Sequence, residues 1–542
     1  MQTKSWFTKT WLHLLLLVTL ILVTYLMTLN NAFLSDDIAE IRDNPNIDNF
    51  STIQTRPFGF LRLIIYYLAF QIGGLNPPLF RLSNILFHIG SAILIYFILL
   101  KISRSKKIAL FTAALFAVHP AISEAVVWIS GGMYTQYTFF FLLSFFFYIL
   151  SQNSIKYYLL SLLSYLLSFM SHPVMPAGLA VIFLFYEFSF GNLRRNWPKS
   201  IGFVIILIAY IFVNLASLGE RESTLQTAHY QEKGIDNIFF LIPVALSSYF
   251  ELIFWPKILT LYHSELFFNA FSFTVKSFLT MVFFLSAGLA FFKNRYLFFW
   301  LSFFFIALSP TLTPFRLNWI VAERYIYLPG VGIFASFAYL LEKLIQSKKK
   351  LSAVFVVLFI AIIAALTIRT IIRNIDWKNE DNLWIATGKT SPSSPNTHNN
   401  LGDVYGRWGD KQKALGEFQK AIQLKPNYAD AYHNLANTYL ELGDDKQALE
   451  NYQKAASLNP ILWQSLQNIA AIYYQQKKYG QAQDYIQKAL QINSKNINLW
   501  SNLGIIYMTL GDKVKAKEVF TQVLAQDPQN LVARQALMEL NK

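Results

Sequence analysis

Apolar runs of about 20 residues recur from residue 11 to residue 370, and this pattern constrains the fold more than any other feature of the sequence. Because a helix needs about 20 apolar residues to cross a bilayer core, each run is a candidate membrane span. We predict that the following eleven runs cross: 11–29, 79–100, 108–128, 134–150, 157–170, 173–188, 200–217, 273–292, 296–309, 324–342 and 351–368. A twelfth run, 238–254, contains Pro243 and Glu251, and we interpret it as a helix at the membrane interface. The sequence therefore predicts an all-α, polytopic membrane helix bundle over residues 1–375.

Lys and Arg are distributed unevenly among the loops between these runs. If the N-terminus is cytoplasmic, the inner loops hold sixteen Lys and Arg in 45 residues, and the much longer outer segments hold seven. Positive residues favour the cytoplasmic side, so we predict a multi-pass protein of a bacterial inner membrane, with the chain after residue 368 extracytoplasmic. Arg369 and Arg373 are positive residues on the predicted extracytoplasmic side, and they argue against this assignment. The net charge of +15 is then a topology signal, and no nucleic-acid partner is predicted.

The C-terminal part of the chain repeats with a period of 34 residues. Pro426, Pro460 and Pro528 follow this period, and Ser494 occupies the remaining position. Other positions recur with the same period, with Lys477 as one exception: Tyr405, Tyr439, Tyr473 and Tyr507; Gly409, Gly443 and Gly511; Ala414, Ala448, Ala482 and Ala516. This is the tetratricopeptide (TPR) pattern of stacked helix pairs.

We predict four repeats and a capping helix over 396–542, after a linker at 376–395. The superhelix is expected to bind a protein or peptide in its groove. The alternative is that the array packs only against its own membrane part. The chain contains no cysteine, which excludes disulfides and thiolate chemistry.

Two adjacent acids, Asp36 and Asp37, lie in the first predicted outer loop, 30–57. Such a pair can take a proton from an acceptor hydroxyl as general base, or hold a divalent cation such as Mg²⁺ or Mn²⁺. The alternative is a helix N-cap within a solvated acidic loop. The following stretch, 58–73, is apolar and aromatic apart from Arg62, and we predict an interfacial helix that fixes the loop against the bilayer.

Two further stretches place ionisable side chains close to membrane depth, where such residues usually face a cavity or a partner. Residues 118–132 contain His119, Glu124 and Trp128, and residues 321–330 contain Arg324 and Tyr325. Arg324 is a candidate ligand for a lipid phosphate. The alternatives are that His119 begins a helix and that Arg324 pairs with an acid, either Glu323 or Glu124. His172, between two predicted spans, and His263 carry weaker signals.

Taken in order, these stretches resemble a known family. The loop NNAFLSDDIAEIRDNP resembles the first loop of C-type (GT-C) glycosyltransferases, and the whole is similar to the transmembrane-and-TPR-containing O-mannosyltransferases and their bacterial relatives. Four further stretches carry the resemblance: 73–99, 115–131, 171–187 and 322–333. Two places depart from the family pattern, Gly131 to Tyr134 and Ser171-His172, which replace charged residues that are common in the relatives.

The resemblance implies a GT-C-like enzyme that transfers a sugar, with inversion, from a polyprenyl-phosphate donor to an acceptor on the extracytoplasmic side. It implies that Asp36 or Asp37 is the base and a metal ligand, and that Arg324 and His119 bind the donor phosphate. Glu124, Trp128, Tyr325 and His172 are the remaining expected substrate contacts. The alternatives are a membrane-anchored TPR scaffold without chemistry and a ligase or polymerase of envelope polysaccharide.

Overall fold

A computed structural model describes residues 2–51, 59–225, 238–266, 269–312 and 320–541. The chain divides into two compact units, Met1–Ala386 and Thr387–Lys542. In the described part, the regular elements are all helices, which confirms the all-α prediction.

The first unit contains sixteen described helices, the last of which continues into the second unit. In chain order they are α1 (Gln2–Tyr25), α2 (Phe60–Gly73), α3 (Pro77–Ser103), α4 (Lys106–Val118), α5 (Ser123–Val127), α6 (Gly132–Leu150), α7 (Ile155–Ser171), α8 (Ala180–Ser189), α9 (Leu193–Asn196), α10 (Ser200–Leu225), α11 (Ile238–Phe254), α12 (Ala270–Lys293), α13 (Arg295–Leu308), α14 (Gly330–Ser347), α15 (Ser352–Asp376) and α16 (Glu380–Thr390).

The multi-pass character of this unit is clear, but the count of eleven spans is not confirmed. Among the described residues, six helices are long and apolar enough to cross a bilayer, and a bent pair brings the number to seven. The bent pair is α4 followed by Pro120–Val127, with a bend of 61°. The helices at 155–171, 175–189 and 295–311 are apolar but short, so composition alone does not show that they cross.

Three hydrogen bonds join segments that the sequence assigns to the same face. At the predicted inner end, Ser105 donates to Glu342 at 2.6 Å and Arg295 donates to the Phe188 carbonyl at 3.0 Å. At the other end, Ala32 donates to the Lys378 carbonyl at 3.0 Å.

The helix α11 runs parallel to α12. Phe240 contacts Phe273, with ring centroids 5.0 Å apart, and Phe250 contacts Phe283 at 5.4 Å. This direction does not test whether 238–254 crosses the membrane, and its interpretation as an interfacial helix stays a prediction.

The second unit is a TPR array. Four helix pairs follow one another, and a single helix, α25 (Leu531–Leu540), closes the array. The pairs are α17 (Pro395–Arg407) with α18 (Lys411–Leu424), α19 (Ala429–Glu441) with α20 (Asp445–Leu458), α21 (Trp463–Gln475) with α22 (Tyr479–Ile492), and α23 (Ile497–Thr509) with α24 (Lys513–Gln526). The periodic alanines Ala414, Ala448, Ala482 and Ala516 are fully buried where the paired helices touch. The array therefore consists of four helix pairs and one closing helix over residues 395–540.

The turn within each repeat requires a left-handed backbone. Gly409, Gly443 and Gly511 have φ of 81°, 78° and 82°, and Lys477 adopts the same conformation with φ of 60°. A non-glycine residue in this region costs about 1 kcal/mol because its Cβ crowds the following carbonyl. Lys477 is therefore strained, and its turn has the same left-handed conformation as the turns at the three glycines.

Replacing Lys477 by Gly is expected to stabilise the array by about 0.5–1 kcal/mol, since glycine adopts positive φ without strain. Hydrogen exchange of amides in α21 and α22 measures the local change. Lys478→Gly is the matched control, because Lys478 has a φ of −91° and gains nothing from glycine. Equal effects of the two substitutions would contradict the strain argument.

Candidate active site

Asp37 is buried in a network that connects the first loop to the segment after α5. Its Oδ1 accepts hydrogen bonds from the Ser130 amide at 2.8 Å and the Ser130 hydroxyl at 2.6 Å, and its Oδ2 accepts from the Leu34 amide at 3.2 Å. Burial raises the pKa of Asp37 to about 6, although these hydrogen bonds and the charge of Arg81 oppose the shift. Asp37 precedes the single turn Ile38–Arg42, but its side chain does not cap that turn.

Asp36, in contrast, is exposed. The loop that carries both acids packs on α2, where Phe33 and Ile41 contact Tyr66 and Ala69. An ion pair between Arg62 and Glu40, at 3.0 Å, adds to this contact. The predicted helix at 58–73 thus lies against the first loop. Residue 58, and residues 52–57 of the loop, lie outside the described part.

Arg81, near the start of α3, binds backbone carbonyls of two separate segments, residues 29–32 and residue 127. It is fully buried, and its guanidinium donates to four carbonyls, those of Val127 (2.7 Å), Leu29 (2.9 Å), Asn31 (2.8 Å) and Ala32 (2.9 Å). Asn84 follows Arg81 by three residues on the same face of α3, and its side chain donates to the Trp128 carbonyl at 2.9 Å. One face of α3 therefore fixes both the first loop and the segment that carries Trp128.

Arg324 pairs with Glu124, which decides between the two partners that the sequence left open. Nη1 of Arg324 lies 2.5 Å from Oε1 of Glu124, and the Arg324 amide donates to Oε2 at 2.9 Å. The guanidinium also lies over the Trp128 ring, 5.5 Å from its centroid, and Trp128 Nε1 donates to the Leu34 carbonyl at 3.4 Å. Trp128 therefore lies between Arg324 and the first loop.

Aromatic rings line the other side of Arg324. Its guanidinium lies 5.2 Å from the Tyr325 ring, and Tyr325 lies 6.0 Å from Tyr134. His172 packs edge-on against Tyr134 at 4.8 Å, and its Nδ1 accepts from the Val174 amide at 3.1 Å. The structure thus brings Glu124, Trp128, Arg324 and Tyr325 together and joins His172 to them through Tyr134.

Glu323 belongs to a neighbouring charged group. It pairs with Arg373 of α15 at 3.3 Å, and Arg373 also pairs with Asp376 at 3.0 Å. Glu323 accepts a hydrogen bond from the Thr260 amide and lies 3.9 Å from His263. Burial, with the charges of Arg373 and Arg324, lowers the pKa of His263 to about 3, so this histidine is neutral at pH 7.

The segment 255–266 is held by Glu323 and by contacts with α15 and α16. Arg369 donates to the carbonyls of Pro256 at 3.2 Å and Lys257 at 3.1 Å. The Tyr262 ring packs on Trp384, with centroids 5.8 Å apart. Burial, with the charges of Asp36 and Glu124 and against that of Arg324, raises the pKa of the Tyr262 phenol above its usual value.

The imidazole ring of His119 forms hydrogen bonds with backbone groups. Its Nε2 donates to the Ile253 carbonyl at 2.9 Å, and its Nδ1 accepts from the Ala121 amide at 3.3 Å as the cap of the turn Pro120–Ile122. This matches the alternative in which His119 begins a helix. Both ring nitrogens are used in this arrangement, so the geometry does not favour direct contact between His119 and a phosphate.

Several residues at this end of the bundle were not singled out from the sequence. Arg81 had a usable signal, because it is a cation at the start of a long apolar run. Ser130, Tyr262 and Trp377 had none, because their roles depend on partners far away in the chain. Trp377, for instance, packs parallel to Trp128, with centroids 6.2 Å apart.

We expect Arg81→Lys to loosen the first loop, because one ammonium group cannot reach four carbonyls. Each unsatisfied buried carbonyl costs about 1–3 kcal/mol. Hydrogen exchange should therefore become faster at residues 31–43 and 123–131 together. Arg194→Lys, at an exposed position, should leave both regions unchanged. Faster exchange in only one region would show that Arg81 does not join the two.

Family models for the tetratricopeptide repeat match residues 409–443, 429–461 and 473–540. The crystal structure of MamA protein covers 28% of this chain and 81% of its own, at 20% identity and a TM-score of 0.25.

Curated relatives extend the similarity into the membrane unit. A protein O-mannosyl-transferase of Caenorhabditis elegans is 26% identical over 77% of this chain and 63% of its own length. The protein O-mannosyl-transferase TMTC3 of Mus musculus is 24% identical over 76% of this chain and 51% of its own. The Drosophila melanogaster protein O-mannosyl-transferase Tmtc2 is 34% identical over 21% of this chain and 12% of its own. The chain thus spans less than two thirds of these relatives. It is a multi-pass membrane protein with a TPR array, and it is similar to protein O-mannosyl-transferases over about three quarters of its length.

Proposed function

We propose that this protein is a membrane glycosyltransferase that transfers a sugar from a polyprenyl-phosphate donor to a hydroxyl group of a protein acceptor, with inversion. The observation that carries the proposal is the contact between the loop that carries Asp36 and the segment that holds Arg324. Ser130 donates to Asp37, and Trp128, which donates to the Leu34 carbonyl, packs on the Arg324 guanidinium. The names of the relatives support the reaction class and make mannose the first sugar to test.

Asp36 is the general base of the proposed reaction. Because its side chain is exposed, an acceptor hydroxyl can reach it. The carboxylate takes the hydroxyl proton while the oxygen attacks the anomeric carbon of the sugar, and the bond from that carbon to the phosphate oxygen breaks. Attack from the face opposite the phosphate inverts the anomeric configuration.

Arg324 binds the phosphate, which gains charge as it leaves. Its pairing with Glu124, and its contacts with the rings of Trp128 and Tyr325, fix the guanidinium before the substrate arrives. Only 9% of Arg324 is exposed, and a cation in a water-poor site stabilises developing negative charge more strongly than one in water. Glu124 therefore orients Arg324, and Trp128, Tyr325 and His172 shape its surroundings.

Asp37 is a positioning residue in this scheme. Both of its carboxylate oxygens accept hydrogen bonds from Ser130 and Leu34, so it holds the loop that carries Asp36. The resemblance also implies a divalent cation at the two acids. A cation of this kind needs several converging oxygen ligands. Asp37 is engaged by protein donors and Asp36 is exposed. Among the described residues, no three acidic, His or Cys side chains group together. This donor set does not fit a metal, and we derive no step through one.

The location and the second unit complete the proposal. A polyprenyl-phosphate donor stays in the bilayer with its phosphate at headgroup level. The site would lie on the extracytoplasmic side of a bacterial inner membrane, where the predicted outer loops meet. The TPR array would bind the acceptor protein or a partner of it on the same side.

Asp36→Asn should reduce kcat for sugar transfer by about a thousandfold, because the amide cannot accept the proton. Transfer is measured with the full chain in detergent, a polyprenyl-phosphate-mannose donor and a protein acceptor. Asp43→Asn is the matched control in the same loop, since Asp43 is exposed and pairs only locally with Arg42. Undiminished transfer by the Asp36 variant would refute the role of the base and favour the TPR scaffold.

The sidedness can be tested separately, because the chain has no cysteine of its own. A membrane-impermeant maleimide applied to intact cells or outer-membrane-permeabilised cells should label Ser51→Cys and Ser457→Cys but not Ser347→Cys. All three serines are exposed on the protein. Labelling of Ser347→Cys alone would place the site and the array in the cytoplasm and overturn the proposed donor geometry.

A further inference from the structure

Side-chain amides join the first helices of three successive repeats in the TPR array. Asn434 of α19 donates from its side chain to the side-chain carbonyl of Asn399 in α17 at 3.1 Å. Asn468 of α21 donates in the same way to Asn437 of α19 at 3.2 Å. Asn434, Asn437 and Asn468 all stay partly accessible. The face formed by these first helices therefore presents amide groups that a ligand can reach.

Tyr452, from the second helix of the second repeat, fixes two of these amides. Its hydroxyl donates to Oδ1 of Asn437 and accepts from Nδ2 of Asn468, the latter at 3.0 Å. Burial raises the pKa of Tyr452 to about 12, although the hydrogen bond with Asn468 opposes the shift. The phenol therefore keeps its proton at neutral pH and holds Asn437 and Asn468 in one orientation.

The packing of the repeat does not require the Tyr452 hydroxyl. The equivalent position in the other three repeats is buried and apolar, and it holds Phe418, Ile486 and Phe520. Burying a hydroxyl is costly unless it is hydrogen-bonded, and here its partners are two partly accessible amides. The hydroxyl therefore serves to orient Asn437 and Asn468, and an apolar residue would fill the same space.

This triad leaves one donor group and one acceptor group for a ligand. A side-chain amide offers two N–H donors and two lone pairs. Within the described part of the chain, Oδ1 of Asn437 accepts two hydrogen bonds, so its amino group is the group left to donate. Nδ2 of Asn468 donates twice within the triad, so its carbonyl oxygen is left to accept. A backbone peptide group has one C=O and one N–H, and it matches this pair.

The charge of the neighbouring helices narrows the class of ligand. The first helices of the third and fourth repeats, α21 and α23, contain no charged residue. The second helix of the fourth repeat, α24, contains Lys513, Lys515, Lys517 and Glu518. A charged segment laid on α21 and α23 would lose solvation without gaining an ion pair from these helices. The face therefore favours an uncharged ligand.

We propose that Asn437 and Asn468 bind a peptide group of an extended, uncharged polypeptide segment. The Asn437 amino group donates to the peptide carbonyl, and the Asn468 carbonyl accepts from the peptide N–H. This inference deepens the proposed function and rests on it for the identity of the segment, which is part of the sugar acceptor. Because main-chain hydrogen bonds do not depend on side chains, acceptors of different sequence can use the same site.

The test measures binding of a fluorescent peptide of Thr, Val and Gly to the full chain in detergent. Tyr452→Phe should weaken binding about tenfold, because the two amides lose their fixed orientation, and Asn437→Ala should do the same through a lost hydrogen bond. Phenylalanine occupies the equivalent position in the first and fourth repeats, so Tyr452→Phe keeps the packing. Asn451→Ala is the matched control and should bind as wild type, since Asn451 donates to the Gln447 carbonyl of its own helix at 2.8 Å.

Two further peptides test the chemistry of recognition. A peptide with the same side chains and N-methylated amides lacks the N–H groups, so the wild type should bind it about tenfold more weakly. Asn468→Ala should bind the methylated and unmethylated peptides alike, because it no longer accepts from the N–H. A peptide with Asp in place of Val should also bind more weakly than the uncharged one. Equal binding of the methylated peptide by the wild type, or tighter binding of the charged one, would overturn the inference.

Sugar transfer separates this inference from the proposed function. With the Thr-containing peptide as acceptor, Tyr452→Phe should raise KM about tenfold and leave kcat unchanged, because the array holds the acceptor and does not touch the reacting atoms. If the wild type transfers sugar and Tyr452→Phe binds and transfers as Asn451→Ala does, the amide site is overturned and the proposed function stands. If the wild type transfers no sugar but the variants lose peptide binding, the site stands as a peptide site and its role in acceptor binding falls. Unchanged hydrogen exchange in α19 and α21 of Tyr452→Phe shows that weaker binding is not unfolding.

Discussion

The buried guanidinium of Arg81 is the contact on which the geometry of this site depends. It binds the Leu29 carbonyl in the turn after α1, the Asn31 and Ala32 carbonyls at the start of the first loop and the Val127 carbonyl at the end of α5, at distances of 2.7–2.9 Å. Buried backbone carbonyls need donors, and irregular segments cannot supply them to one another. A single cation with five N–H groups in a planar fork meets this need for two segments at once. The loop with the acids and the segment with Glu124 therefore have a fixed spacing.

The buried charged side chains at this end of the bundle lie near side chains of opposite charge. Asp37 lies near Arg81, Glu124 pairs with Arg324, and Glu323 pairs with Arg373. Removing a charge from water is costly unless a partner or hydrogen bonds replace the lost solvation. This pairing also explains why Arg369 and Arg373 can lie at the predicted outer end against the usual distribution of positive residues. Both bind protein groups there, so they are structural cations and carry no topology signal.

The parts of the fold that were predictable are those fixed by local pattern. The 34-residue period determines the TPR helix pairs because each repeat contacts only its neighbours. The span count was less predictable, because hydropathy does not show where a run bends. The run 108–128 breaks at His119, since Pro120 restricts the residue before it and lacks an amide hydrogen. The partner of Arg324 was undecidable from sequence. Glu323 is adjacent in the chain, but Thr260 and Arg373 engage it, and Glu124 lies 200 residues away.

The two adjacent acids show why neighbouring residues of one type need not share a role. Successive side chains at the start of a helical turn point in directions about 100° apart, so a loop docked on a bundle buries one and exposes the other. In the sequence Asp36 and Asp37 are equivalent candidates. In the structure Asp37 accepts hydrogen bonds from Ser130 and Leu34, whereas Asp36 is exposed. A base must reach a proton that arrives with the substrate. The buried acid is already engaged, and so it can fix the position of its neighbour better than it can exchange protons.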